Sequence, residues 1–333
     1  VKTEIRISVA LATFQGERFL RSQLRSLADQ TMPPDELVVS DDGSSDRTLE
    51  IVESFAQSAA FPVRIVRNEE NLGYAKNFAQ ALSLCSGELV FLCDQDDVWF
   101  EDKIETVAGW AATHEGIQCF FNDAMLTDDS LKPAQLTKLQ QIRAAGLNDT
   151  ELVMGCCMAV KRDFLELALP VPPEISAHDN WLAGLADVLG LTRRSDEVLQ
   201  YYRRHGNNTS DYFVNSASAL GLRKRIGRAI SRLPRRVFCG ASLYRELIFV
   251  KAVRDRLTQC REACRRLVGD ERMDVVLADL DFRLNLLSAR KHVRQQSWFR
   301  RPVLVWHLWR KGNYACSGGR GGLLKDLLLR KQQ

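Results

Sequence analysis

Leu89-Val90-Phe91-Leu92-Cys93 is an unbroken apolar run, and Asp94-Gln95-Asp96-Asp97 follows it at once. A short apolar run without alternation marks a strand buried on both faces, at the centre of a sheet covered by helices. Working outward, residues 5–11, 36–40 and 63–66 have strand patterns, and residues 17–30, 46–57 and 73–84 have helical ones. The first of these helices carries Phe19, Leu20, Leu24 and Leu27 on one stripe, and Pro33-Pro34 closes the unit. Beyond the acidic run, 102–113 is helical and 117–121 is a strand. Strands alternating with helices build βαβ units, so the expected fold is α/β with a mostly parallel sheet and flanking helices. Ligands of such sheets bind beyond the carboxyl ends of the strands. Residues 126–210 are less regular, with strands expected at 154–160 and 198–203 and helices at 162–168 and 179–189. From about 211 the pattern becomes long, arginine-studded helices at 217–232, 242–267 and 272–294. The sequence therefore divides into an α/β domain over 1–210 and a basic α-helical region over 211–333.

Charge divides at the same place. Residues 1–210 hold 19 Lys+Arg against 32 Asp+Glu, a net of −13. Residues 211–333 hold 27 against 10, a net of +17, and the two together give the chain's +4. An acidic working domain followed by a basic segment suggests an anionic partner: a membrane surface, a phospholipid-linked substrate or nucleic acid. Solvated arginine-rich helix faces are the plainer alternative. The nine cysteines form no CxxC pair, and Cys85, Cys93, Cys119, Cys156 and Cys157 lie in apolar runs, which excludes a disulfide framework or a zinc ribbon and points to a reducing cytoplasm. No run reaches 18 apolar residues, and the first residues lack the basic and apolar regions of a signal peptide. Walker A, GxGxxG, HExxH and GxSxG motifs are absent, as are internal repeats.

Two acidic clusters follow strands. Asp41-Asp42-Gly43-Ser44-Ser45-Asp46 has the composition of a turn and helix cap, which accounts for Gly43, Ser44 and Ser45. Asp41 is harder to explain that way, because an acid at the end of a buried strand needs a partner, and a nucleobase or ribose donor would be one. Asp94-Gln95-Asp96-Asp97 sets three carboxylates within four residues. A divalent cation relieves their repulsion, and hard oxygen ligands suit Mg²⁺ or Mn²⁺, ions that also bind substrate phosphates. The alternative is an acidic turn opening the helix at Asp102.

Together these motifs resemble family 2 glycosyltransferases of the GT-A fold. The resemblance runs through Val9-Ala10-Leu11-Ala12-Thr13-Phe14-Gln15-Gly16-Glu17, then Gln23-Leu24, Leu27, Gln30 and Thr31, then Asp41 to Asp46 with Thr48. It continues through Asn71-Leu72-Gly73, Asn77-Phe78, Asp94-Gln95-Asp96-Asp97-Val98-Trp99, Gly155-Cys156-Cys157-Met158-Ala159, His178-Asp179-Asn180-Trp181 and Tyr202-Arg203-Arg204-His205-Gly206-Asn207-Asn208. The Asp94–Trp99 and Tyr202–Asn208 forms look most like the rhamnosyltransferase-like branch that builds bacterial surface polysaccharides.

The resemblance implies a role for each site. Phe14 would stack on the nucleobase and Asp41 would accept a base N–H, although many relatives carry Tyr-Asn where this chain has Phe14-Gln15. Asn71 and Lys76 would reach ribose or phosphate. Thr13, Glu17, Asp42 and Gln95 belong to the same substrate-binding motifs. Asp94 and Asp96 form the DxD, with Asp96 the direct metal ligand, and His205 completes the site; a polar loop histidine is its alternative reading. Asp179 matches the catalytic base, preceded by His178 where Glu is usual, and as a sequence signal it also suits a helix N-cap. Gly155 and Trp181 would line the donor sugar and acceptor, with a core position the alternative for Trp181. The implied activity is inverting transfer from a dTDP- or UDP-sugar to a glycan or polyprenyl-linked glycan, using Mn²⁺ or Mg²⁺.

In the basic region, Val303, Leu304, Val305, Trp306, Leu308 and Trp309 lie between Arg300, Arg301, Arg310 and Lys311. This stretch suits either an amphipathic segment at the inner membrane face or a core helix, and 323–330 has the same ambiguity. The long helices could also pair two copies of the chain. A nucleic-acid binder lacks interleaved aromatics here. A nucleotidyltransferase would need a Gly-rich loop where Leu11-Ala12-Thr13-Phe14 stands. A glycosyltransferase-like scaffold without turnover is opposed by the presence of Asp94, Asp96, Asp179 and His205.

Overall fold

The computed structural model describes residues 5–206, 241–314 and 319–328. The chain forms two compact units, Val1–Ala219 and Leu220–Gln333. The expected helix over 217–232, and Asn207 and Asn208 of the last motif, lie outside the described residues.

In the first unit, β1 (Ile7–Thr13), β2 (Glu36–Asp41), β3 (Val63–Arg67) and β4 (Leu89–Asp94) are parallel and lie in the order β3-β2-β1-β4. The crossovers are α1 (Leu20–Ala28), α2 (Thr48–Ala56) and α3 (Tyr74–Leu84). On α1, Leu20, Leu24 and Leu27 are buried at i, i+4 and i+7, which seats the helix on the sheet beside Leu11 and Phe91. The run Leu89–Cys93 is fully buried, as its unbroken apolarity requires.

Past β4 come β5 (Val98–Trp99), α4 (Lys103–Thr113), β6 (Cys119–Thr127), β7 (Pro133–Thr137), α5 (Lys138–Ala144), β8 (Met158–Lys161), α6 (Arg162–Ala168), α7 (His178–Leu189) and β9 (Thr192–Arg203). The sheet continues β8-β6-β9-β5, with β7 paired to β6. The GT-A-type sheet is mixed: β8 lies antiparallel between β4 and β6, while β9 runs parallel to β6. β8 also begins later than its apolar pattern suggests, because Gly155–Cys157 form a 3-10 turn first. β6 extends to Thr127 and β9 starts at Thr192, both longer than expected, because each pairs with the other along its length.

The register brings the carboxyl ends together. Thr13 lies opposite Asp41, and Ala12 lies opposite Asp94. β5 pairs with the end of β9, Val98 with Tyr201 and Trp99 with Gln200, which carries residues after Arg203 back to the acidic turn.

The second unit is helical: α8 (Ala241–Gln259), α9 (Arg261–Val268), α10 (Asp270–Gln295), α11 (Arg301–Arg310) and α12 (Gly319–Leu328). The single helix expected over 242–267 breaks at Cys260, and Gly269, with φ of 80°, turns the chain into α10. A small core joins Val293, Val305, Leu308 and Tyr314. Beside it Asp326, fully enclosed, accepts hydrogen bonds from Arg290 Nε at 2.7 Å, Arg294 Nε at 2.7 Å and Tyr314 Oη at 3.0 Å. None of the described helices is long and apolar enough to cross a membrane.

Asp326→Ala leaves two buried guanidinium groups without their carboxylate. The expected loss of stability is about 3–5 kcal/mol, read by urea denaturation followed by circular dichroism.

Candidate active site

At the ends of β1 and β2 the buried polar groups bond to one another. Asp41 is fully enclosed and accepts from Ser44 N at 2.8 Å, Ser44 Oγ at 2.6 Å and Thr13 Oγ1 at 2.9 Å. The partners that this acid needs are therefore within the chain: the turn supplies two donors and β1 a third, and Gly43, with φ of 80°, lets the chain make that turn. Asp42 accepts from Leu72 N at 2.7 Å, Gly73 N at 2.9 Å and Asn68 Nδ2 at 3.0 Å, so it holds the 71–73 loop. Asn77 donates to Ser40 O at 2.9 Å and Thr13 O at 3.2 Å and ties both strand ends to α3. Asn71 is exposed, donating to Asp42 O at 3.3 Å and accepting from Gly73 N at 3.1 Å. Lys76 is exposed on α3. Glu17 is also exposed, and its carboxylate accepts the Arg47 N–H at 3.1 Å at the start of α2.

Phe14, 45% exposed, offers its ring at the sheet edge. Its backbone is held by Gln95, whose amide accepts from Phe14 N and donates to Phe14 O, both at 2.9 Å. Gln95 thus spends its amide as a strand-like partner for the β1 loop. Gly16 makes the space: a Cβ there would lie 2.2 Å from Gln95 Oε1.

The acidic turn follows β4. Asp96 Oδ2 lies 2.7 Å from His205 Nε2, and both side chains are largely enclosed. Phe19 covers the His205 ring, 4.7 Å between centroids. Asp97, fully buried, accepts from Gln200 Nε2 at 2.9 Å and Arg203 N at 3.1 Å. Burial, then the charges of Asp96 and Asp94, push the Asp97 carboxyl well above the usual range. Burial first, then Asp96 and Asp179, raise Asp94 to about 7. Behind the turn, Lys103 is buried, donates to Cys156 O at 2.8 Å and to Gln200 Oε1, and sits 3.9 Å from the Trp99 ring centroid. Arg203 donates to Asp96 O at 2.7 Å, Asp129 O at 2.7 Å and Ser22 Oγ at 2.9 Å, pinning the turn to α1.

Asp179 is the second residue of α7 rather than its N-cap, which is Ala177. After burial, its charge adds to the raising of both Asp94 and Tyr74. The preceding His178 is buried, stacked on Phe78 at 4.2 Å, and burial lowers its pKa. Gly155 leaves room for it: a Cβ there would lie 3.1 Å from His178 Nε2. Trp181 is corrected to a core residue, fully buried with its indole N–H donating to Ala168 O at 2.9 Å. It lies one turn along α7 on the inward side, where it cannot line a sugar site.

Lys103, Gln200, Arg203 and Asn77 join the site from outside the residues that the sequence marks as substrate or metal contacts. Arg203 and Asn77 sit inside the quoted motifs, but no local signal in the sequence marks Lys103 or Gln200 as buried.

A carboxyl raised by burial stabilises the fold while protonated, and this contribution is lost as pH rises from the ordinary 3.8 toward about 7. Asp94→Asn should therefore raise the melting temperature above pH 7 by about 3 °C or more. No gain is expected near pH 4, with scanning calorimetry in EDTA as the check.

Residues 8–167 match the family described as Glycosyl transferase family 2. An uncharacterized glycosyltransferase of Nostoc sp. is 25% identical over 226 residues, 65% of this chain and 69% of that protein. The dTDP-rhamnosyl transferase RfbG of Shigella flexneri is 26% identical over 210 residues, 60% of this chain and 72% of that one. S. aureus TarS 1-349 in complex with UDP-GlcNAc shares the fold, with a TM-score of 0.53 at 16% identity over 97% of this chain and 89% of that chain. The matched segment runs from β1 to α6 inside the unit Val1–Ala219, and it is this segment that carries the likeness to glycosyl transferase family 2.

Proposed function

We propose that the protein is a cation-dependent, inverting glycosyltransferase of bacterial surface polysaccharide synthesis. It moves a sugar from a nucleoside diphosphate to a hydroxyl of a glycan or lipid-linked glycan. The observation that carries the reading is the meeting of Asp96 and His205 beside Asp94, at the strand edge where Asp179 also acts on Asp94. The name of RfbG supports a dTDP-linked L-rhamnose donor. A lipid-linked acceptor is supported by WfgD of Escherichia coli, named a UDP-Glc:alpha-D-GlcNAc-diphosphoundecaprenol beta-1,3-glucosyltransferase. It is 31% identical over 99 residues, 30% of this chain and 38% of that protein.

The donor set fits a hard divalent ion. Asp96 and His205 offer an oxygen and a nitrogen 2.7 Å apart, and Asp94 adds a carboxylate whose repulsion is only partly relieved by the protein. Ligand atoms of Asp94, Asp97 and Cys156 also lie within 4.8 Å of one another. That group suits Mn²⁺ or Mg²⁺ less well: Asp97 is committed to Gln200 and Arg203, and hydrogen bonding to Cys157 together with burial holds the Cys156 thiol protonated. Mn²⁺ or Mg²⁺, held by Asp96, His205 and Asp94, would neutralise the diphosphate's charge as it departs.

The chain's own groups do the rest. Phe14 offers an exposed face to the base, with the 71–73 loop held beside it by Asp42. Asp179 takes the proton of the acceptor hydroxyl as that oxygen bonds to the anomeric carbon and the bond to the diphosphate breaks. Attack from the side opposite the leaving group inverts the anomeric centre.

Asp179→Asn should lower transfer about 10²–10⁴-fold while donor affinity, measured by calorimetry with Mn²⁺, stays within about twofold. His205→Ala should weaken donor binding only when Mn²⁺ is present. Transfer unaffected by EDTA, or a collapse of donor affinity in Asp179→Asn, would remove these assignments.

A further inference from the structure

Helix α11 has two unlike faces. Inward, Arg301, Val305 and Leu308 are buried, the last two in the core with Val293 and Tyr314. Outward, Val303, Trp306 and Trp309 are 67%, 52% and 57% exposed, and Trp298 and Phe299 in the preceding turn are 69% and 72% exposed. Phe299, Val303 and Trp306 stand at i, i+4 and i+7, a single stripe. These side chains are not core residues left unpacked, because the core positions of the same helix are filled by others. Trp298 and Phe299 lie against each other, with ring centroids 4.1 Å apart.

The charge around this stripe has one sign. Arg300, Arg310 and Lys311 are exposed at its two ends, and the Arg310 guanidinium lies 4.9 Å from the Trp306 ring centroid. Residues 282–325 contain ten Lys+Arg and no Asp or Glu. The next acid, Asp326, is buried against Arg290 and Arg294 and offers nothing to solvent.

We propose that the outward face of α11, together with Trp298 and Phe299, docks the protein on an anionic phospholipid bilayer. The rings sit at headgroup depth, and Arg300, Arg310 and Lys311 face the lipid phosphates. Two features favour lipid over a protein partner, and a third shows that the helix lies on the bilayer rather than crossing it. Tryptophan concentrates at the membrane–water boundary. An apolar stripe with basic flanks is the pattern of helices that lie in that plane. The helix, ten residues and about 15 Å long, is far too short to span. This inference goes beyond the glycosyl-transfer reading and does not rest on it, since vesicle binding is measured without donor or acceptor.

The test uses the full chain with phosphatidylcholine vesicles holding zero to about 40 mol% phosphatidylglycerol, read by flotation and tryptophan emission. Trp99, Trp110 and Trp181 are already buried, so a vesicle-induced blue shift reports on Trp298, Trp306 and Trp309. Flotation should rise with phosphatidylglycerol and fall about tenfold or more between 0.1 and 0.5 M NaCl. Trp306→Ser with Trp309→Ser should lower binding about tenfold or more, with unchanged circular dichroism. Arg300→Gln, Arg310→Gln and Lys311→Gln combined should do the same, and this second variant, which alters only exposed side chains, keeps the test open if the first misfolds. The proposal is overturned by absent binding, by equal binding to pure phosphatidylcholine, or by variants that bind like the parent. It is also overturned if sedimentation shows the parent dimeric and the tryptophan variant monomeric, since the face would then join two copies.

Discussion

The carboxylates of Asp94, Asp96 and Asp97 stand side by side at the end of a buried strand, and the structure around them is arranged to bear their repulsion. Each is treated differently. Asp97 is enclosed and hydrogen-bonded by Gln200 and the Arg203 backbone, Asp96 meets His205, and Asp94 keeps a carboxyl raised to about 7. Gln200 and Arg203 come from β9 and His205 from just beyond it, so the return of this one strand beside β5 decides whether the acidic turn is tolerated. Lys103 adds positive charge from behind, at the cost of its own burial, which lowers its pKa.

Much of this was legible in the sequence, for reasons that can be named. The run Leu89–Cys93 announced a central strand because only a doubly covered strand is apolar at every position. The stripe on α1 followed from helical periodicity alone. Asp96 and His205, 109 residues apart, were joined only through the family resemblance, since nothing local in the sequence says that β9 returns to β5. What stayed hidden depends on side-chain direction. Gln95 turned back to hold Phe14, Asp41 found donors three residues ahead at Ser44 and on the neighbouring strand at Thr13, and Trp181 pointed into the core; sequence position is the same for a residue that faces a cleft and one that faces away. The break at Cys260 was equally silent, because helical periodicity continues on both sides of it.

The second unit meets the opposite electrostatic problem. Two guanidinium groups share one enclosed carboxylate at Asp326, with Tyr314 completing the set. Burial and the Asp326 charge hold the Tyr314 hydroxyl protonated, so it remains a donor to that carboxylate. Because the acid that follows the arginine-rich stretch is consumed internally, it leaves the positive charge and the aromatic rings on the solvent side of α11 unopposed from that end.

The pairing of Gly16 with Gln95 has an evolutionary implication. The amide at 95 must present an acceptor and a donor at once to one peptide unit, so a glutamate there would set a second acceptor against the Phe14 carbonyl. Any side chain at 16 would evict the amide altogether. The two positions are therefore locked as a couple, and in descendants of this sequence they should either persist together or drift together.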